Sequence, residues 1–117
     1  MKKLYARLLK ASCPVDPESM AVNLPIIQGE VVPFAMSEPG VRQVFFFLDR
    51  QDETMFSITL YDTEKDLEHA MGVADSDHRY DTLERLGCTA IDARTLEVVA
   101  GAVAGDAVEF DFSQGIS

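Results

Sequence analysis

The order of apolar patterns in this 117-residue chain predicts an α+β fold, an antiparallel sheet with helices on one face. The stretch Gly40–Asp62, GVRQVFFFLDRQDETMFSITLYD, sets two apolar runs, Val41–Leu48 and Met55–Tyr61, around a polar DRQDET turn, which is the pattern of a β-hairpin. In the first run Val44, Phe45, Phe46, Phe47 and Leu48 follow one another without a polar break. Strand side chains point alternately to opposite faces, so both faces of this sheet need cover. Helical periodicities before and after the hairpin supply one cover, and a second copy of the sheet is the expected other.

Taken in order, Leu4–Ser12 is a weakly patterned strand. Asp16-Pro17 is a helix start, with Asp as N-cap and Pro in the first turn. Met20, Leu24, Ile27, Val31 and Phe34 then form one stripe at spacings of four and three, predicting a helix over Pro17–Ser37. Pro25, Gly29 and Pro33 oppose it locally, but the stripe stays in phase across them, so a kinked helix is expected. Glu38-Pro39-Gly40 turns the chain into the hairpin. Thr63-Glu64-Lys65-Asp66 resembles a capping box and opens a short helix carrying Leu67, Ala70, Met71 and Ala74. Gly72 and Asp75-Ser76-Asp77 predict a break and a hinge. A further helix with Tyr80, Leu83 and Leu86 stops at Gly87. Thr89–Ala100 reads as a strand, GAVAG as a connection, and the alternation of Val108, Phe110 and Phe112 as a last strand. The order β-α-β-β-α-(α)-β is ferredoxin-like, with an extra C-terminal strand. Residues 1–113 are expected to form one domain and 114–117 a frayed tail.

Twenty acidic against ten basic residues give a net charge of −10, a field that repels phosphate backbones and anionic membranes. No apolar run approaches the roughly 20 residues needed to span a bilayer. In MKKLYARLLKASCP, Arg7 and Lys10 interrupt the apolar segment, so it reads as a strand rather than a signal peptide, and a cytoplasmic protein is expected. Cys13 and Cys88 are far apart and in no metal or redox spacing, which reads as two buried free thiols in a reducing compartment.

Several steps of the sequence resemble the dimeric α+β barrel superfamily, specifically the antibiotic-biosynthesis-monooxygenase-like domains. They are Val32-Pro33, Glu38-Pro39-Gly40-Val41, Leu48-Asp49-Arg50, and Ser57–Asp62 running into Thr63-Glu64-Lys65-Asp66-Leu67. The resemblance covers about Leu4 to Val103 and implies a homodimer with sheets packed face to face. It also implies a small apolar or aromatic ligand held between sheet and helices. Members include cofactor-independent monooxygenases, haem-degrading enzymes and proteins of no assigned activity. Where the haem-degrading branch uses a Trp and an axial His, this chain has Ala70 and Tyr80, and its first strand lacks that branch's Asn. No haem, flavin or metal cofactor is therefore expected.

The residues allow two functional readings. In the first, the chain is a cofactor-independent monooxygenase-like protein. His69 and His78 supply a base, Tyr80 a hydrogen bond to a developing oxyanion, and Tyr61, Phe46, Thr59 and Ser57 the ligand-binding surface. At least one of the two histidines then faces a partly apolar cavity shared with Tyr61 or Tyr80. In the second, His69 beside Glu68 and His78 between Asp77 and Arg79 are solvated, and the chain is a non-catalytic dimeric ligand-binding or structural module. The acids Asp62, Glu64, Asp66 and Glu68 do not make a calcium loop, because the sixth and twelfth positions from Asp62 are Leu67 and Val73. An even hairpin loop would place Phe45 and Phe47 with Phe56, Ile58 and Leu60 on an apolar face. Val44, Phe46 and Leu48 would then share a mixed face with Ser57, Thr59 and Tyr61, a composition that suits a pocket or an interface.

Overall fold

The computed structural model describes residues 2–103 and 106–109, with residues 2, 73–77, 103 and 106–109 described by their backbone alone. Its elements are β1 (Lys2–Lys3), β2 (Tyr5–Ser12), α1 (Pro17–Ile26), a π-helical segment (Ile27–Val31) and α2 (Val32–Ser37). They continue with β3 (Val41–Asp49), β4 (Thr54–Tyr61), α3 (Glu64–Ala70), α4 (Val73–Arg85), β5 (Thr89–Glu97), β6 (Gly101–Val103) and β7 (Asp106–Glu109). The architecture is mixed α+β, as expected. The main sheet is antiparallel in the order β3-β4-β2-β5, and β1, β7 and β6 form a second sheet.

The hairpin register places Phe45 opposite Ile58 and Phe47 opposite Phe56, while Val44 faces Thr59, Phe46 faces Ser57 and Leu48 faces Met55. The loop between Asp49 and Thr54 holds an even number of residues, so the two faces separate as expected. On β2 the inner face carries Arg7, Leu9 and Ala11, all buried. The inner face packs on the helices in two clusters. One gathers Leu9, Ala11, Cys13, Ile27, Met55, Leu83, Leu86 and Cys88. The other gathers Tyr61, Leu67 and Ala70.

The helix across both prolines is continuous, and its device is a π turn rather than a simple kink. Val32 N–H reaches the Ile27 carbonyl, five residues back, between Pro25 and Pro33, which have no N–H to give. The expected stripe is kept at Met20 and Ile27, both buried, and at Val31 and Phe34, both half-buried, with one exception. Leu24 is 43% exposed, and Asn23 is buried in its place because its amide donates to the Leu86 carbonyl at 2.9 Å.

Thr63 caps α3, accepting from Asp66 N–H at 3.0 Å. Of the expected break at Gly72 and Asp75-Ser76-Asp77, the part at Gly72 is present, while Ala74 and Asp75-Ser76-Asp77 lie within α4. The Gly72 N–H bonds back to His69 O in a four-residue turn, and Gly72, in extended conformation, is the N-cap of α4. Gly40 has φ +74°, and a Cβ there would collide with the Asp66 carboxylate. The turn into the hairpin thus requires glycine.

Two expectations are corrected. Cys13 and Cys88 are disulfide-bonded, not free, because the ladder between β2 and β5 brings the end of one strand beside the start of the other. GAVAG is not a connection: Gly101, Ala102 and Val103 pair with Val108, Ala107 and Asp106 as a hairpin. β7 also runs parallel to β1 of the same chain. The last strand begins at Asp106, and its expected continuation through Phe110 and Phe112, with the 114–117 tail, lies outside the described residues.

Candidate functional site

Between the inner sheet face and the helices lies a cavity of about 40 Å³. That volume has room for about three waters. β2 contributes Arg7 and Leu9, β3 Val44 and Phe46, and β4 Ser57 and Thr59. The π segment and α2 supply Glu30, Val31, Phe34 and Ala35, and α4 supplies His78, Arg79, Thr82 and Leu83. Each sheet contribution is an every-second-residue pair, as the pleat requires. Glu30 and His78 are exposed and mark the mouth; Ser57, Thr59 and Arg7 are buried and mark the deep end. The His78 ring packs on Phe34, centroids 4.2 Å apart. Larger grooves of about 630 and 230 Å³ lie beside Cys88 and on the outer face, but the buried polar side chains converge on the small cavity.

The sequence-predicted site residues divide. His78, Phe46, Thr59 and Ser57 come together in the lining. His69 sits exposed on α3, outside it. Tyr80, half-buried, packs against the larger core cluster and lines the groove beside Cys88. Tyr61 is fully buried on the inner face beneath α3 and does not line the cavity.

Sequence reasoning missed Arg7, Arg79 and Glu38. Arg79 Nη1 lies 3.1 Å from each oxygen of the Glu38 carboxylate, and Nη2 donates to the Ala70 carbonyl. Arg79 and Glu38 are both buried. Arg7 Nη2 donates to Thr59 Oγ1 over a long 3.4 Å; its Nε has no acceptor within hydrogen-bond distance, and the Tyr61 hydroxyl, which lies beside the guanidinium, has no acceptor either. Burial lowers the Arg7 pKa from its ordinary value, yet a guanidinium stays charged. Burial also raises Tyr61 above 10.0, with the nearby Arg7 charge offsetting part of the effect. The signal for Arg7 was its position: it alternates in phase with Leu9 and Ala11, which puts a cation on the inner face.

Because the folded chain holds Tyr61 protonated beyond the pH at which an unfolded tyrosine ionises, its contribution is complete below pH 10.0 and is lost as pH rises. Tyr61→Phe is therefore expected to equal or exceed the parent in urea stability at pH 7, since it removes a buried hydroxyl without an acceptor. It should also lose less stability than the parent between pH 9 and 11. A variant with the parent's full alkaline loss would contradict this account.

No protein-family profile matches the sequence, and no curated protein matches it. Solved structures do resemble it. One is a candidate antibiotic biosynthesis monooxygenase of Deinococcus radiodurans, 13% identical, with TM-score 0.63 over 85% of this chain and 95% of that one. Another is SnoaB, a cofactor-independent oxygenase from Streptomyces nogalater, 10% identical, with TM-score 0.59 over 82% of this chain and 93% of that one. A third is the ActVA-Orf6 monooxygenase of Streptomyces coelicolor with the ligand nanaomycin D, 13% identical, with TM-score 0.58 over 85% and 89%. At these identities the likeness shows the fold: the chain has that of the antibiotic-biosynthesis-monooxygenase-like proteins.

Proposed function

We propose that the chain binds a small apolar or aromatic molecule in the sheet–helix cavity and acts on it as a cofactor-independent monooxygenase. The carrying observation is the convergence on one cavity of the His78 imidazole, the Phe34 and Phe46 rings, and the Ser57 and Thr59 hydroxyls. His78 takes the proton of an electron-rich phenol, and the resulting carbanion meets dioxygen directly. A ring CH2 then becomes a carbonyl and the second oxygen leaves as water, with all four electrons that dioxygen takes up coming from that carbon. His69 and Tyr80 have no part in this reading, because neither lines the cavity. The test is oxygen uptake on single-ring, electron-rich phenols, of which a cavity of about 40 Å³ can take the hydroxyl-bearing edge. His78→Ala should lower kcat by about 100-fold, as loss of a general base does. An absence of uptake leaves the non-catalytic module, which the cavity's small volume and its separation from Tyr61 and Tyr80 favour.

The same reading makes the protein a homodimer through the outer sheet face, where Phe45 is 55% and Phe47 48% exposed with their ring centroids 6.2 Å apart. Large neighbouring apolar side chains left in water are a mark of an interface. Light scattering should give twice the chain mass, and Phe45→Glu with Phe47→Glu should give the chain mass. A monomeric parent at micromolar concentration would refute the dimer. No helix among the described residues is long and apolar enough to cross a membrane. The reading keeps the chain in the cytoplasm, a compartment in which a bond such as Cys13–Cys88 is the exception.

A further inference from the structure

We infer that the deep end of the cavity is a carboxylate subsite built on Arg7, and that the ligand is a small hydrophobic monocarboxylate. This rests on the cavity being the ligand site of the proposed function. Arg7 is 3% exposed, lines the cavity, and keeps its Nε without a partner. Among the described residues it makes no ion pair within 4.0 Å. The buried charges beside it are Arg79 and Glu38, which hold each other at 3.1 Å, so Arg7, Arg79 and Glu38 together sum to +1. Tyr61 does not supply the missing negative charge, because burial keeps its hydroxyl protonated. A buried charge with no counter-charge is costly, and one bound anion would complete the group.

The chemistry of that anion is set by its surroundings. One net positive charge calls for a single negative one; a phosphate dianion would overshoot it and meet the like charge of Glu38. A planar carboxylate matches the edge of a guanidinium through Nε. A cavity of 40 Å³ takes about three heavy atoms, the size of a carboxylate group. The carboxylate therefore fills the space between the apolar walls Leu9, Val31, Val44, Phe46 and Leu83, and the hydrocarbon or aromatic body would lie at the mouth, against Phe34.

The experiment is calorimetric titration of the full chain with benzoate, its neutral isostere benzamide, and inorganic phosphate, with amide shifts of Ser57 and Thr59 followed by NMR. Benzoate should bind about 30-fold more tightly than benzamide and move those two amides, a factor fitting one charge-assisted contact. Arg7→Gln should bring benzoate down to the level of benzamide. Equal binding of the two isosteres, tighter binding of phosphate, or unchanged benzoate affinity in Arg7→Gln would each overturn the subsite. If Arg7→Gln does not fold, the comparison of isosteres on the parent decides alone. Should neutral phenol move the two amides while benzoate does not, the subsite falls and the ligand cavity stands. If benzoate, benzamide and phenol all leave them unmoved, both fall.

Discussion

Glu38→Gln is expected to lower folding stability by about 3–5 kcal/mol, the loss typical of breaking a buried ion pair from one side. Glu38 is 8% exposed and its carboxylate receives Arg79 Nη1 at 3.1 Å on both oxygens. Removing that charge leaves two buried guanidinium groups, Arg7 and Arg79, with no anion between them. The sign is set by desolvation: each cation has left water, and Glu38 is what compensates them. An exposed pair gives the contrast. Arg85 and Glu30 meet at 3.3 Å with both side chains more than half exposed, so Glu30→Gln should change stability by less than about 1 kcal/mol. Combining Glu38→Gln with Arg79→Met should restore part of the loss. It will not restore all, because the Ala70 carbonyl at the end of α3 then loses its donor. Urea denaturation of the three variants measures this. A Glu38→Gln variant within about 1 kcal/mol of the parent would mean that the carboxylate is not compensating buried charge.

The sheet was legible because its faces are fixed by parity alone. Once the hairpin loop is even, Phe45 and Phe47 must sit with Phe56 and Ile58, and Ser57 and Thr59 must sit with Phe46. The hairpin's part of the cavity wall, Val44, Phe46, Ser57 and Thr59, was therefore readable from an alternation. The helical half was less so. A stripe at spacings of three and four fits neighbouring rotations of the helix, and the π turn at Ile27–Val31 adds a residue to one turn, which shifts the phase of α2 against α1. Within α1 itself Asn23 is buried in place of Leu24 because its amide finds the Leu86 carbonyl, a partner 63 residues away that no local pattern shows. The charged part of the site stayed hidden for a different reason. Arg7 reads as a break in an apolar run, and only its phase with Leu9 and Ala11 marks it as inward-facing. Arg79 and Glu38 are 41 residues apart, and no local pattern announces a pair that tertiary packing creates. The cysteines obey the same logic: the pairing of β2 with β5 fixes their proximity, and their spacing does not.

Loss of the Cys13–Cys88 bond should lower the midpoint of thermal unfolding by about 10 °C, from the size of the loop it closes. The two cysteines are 75 residues apart in sequence. In the chain-entropy account a loop of that length stabilises by about 4 kcal/mol at most, and measured values commonly reach about 2–4 kcal/mol. The effect belongs mainly to the unfolded chain. In the folded protein the β2–β5 ladder, with Ser12 opposite Thr89, already holds the two backbones together. Cys13 and Cys88 also stay packed among Leu9, Ala11, Met55, Leu83 and Leu86 whether or not they are joined. Reduced protein should therefore keep its fold and its cavity while unfolding earlier, with little change in ligand affinity. Cys88→Ala adds a small packing loss, because a buried sulfur disappears without full collapse around it, so it should unfold slightly below the reduced parent. Thermal scans of oxidised, dithiothreitol-treated and Cys88→Ala protein separate the two contributions. Coincident midpoints for oxidised and reduced protein would show that the bond does not constrain the chain, and the two residues would return to the role of buried thiols.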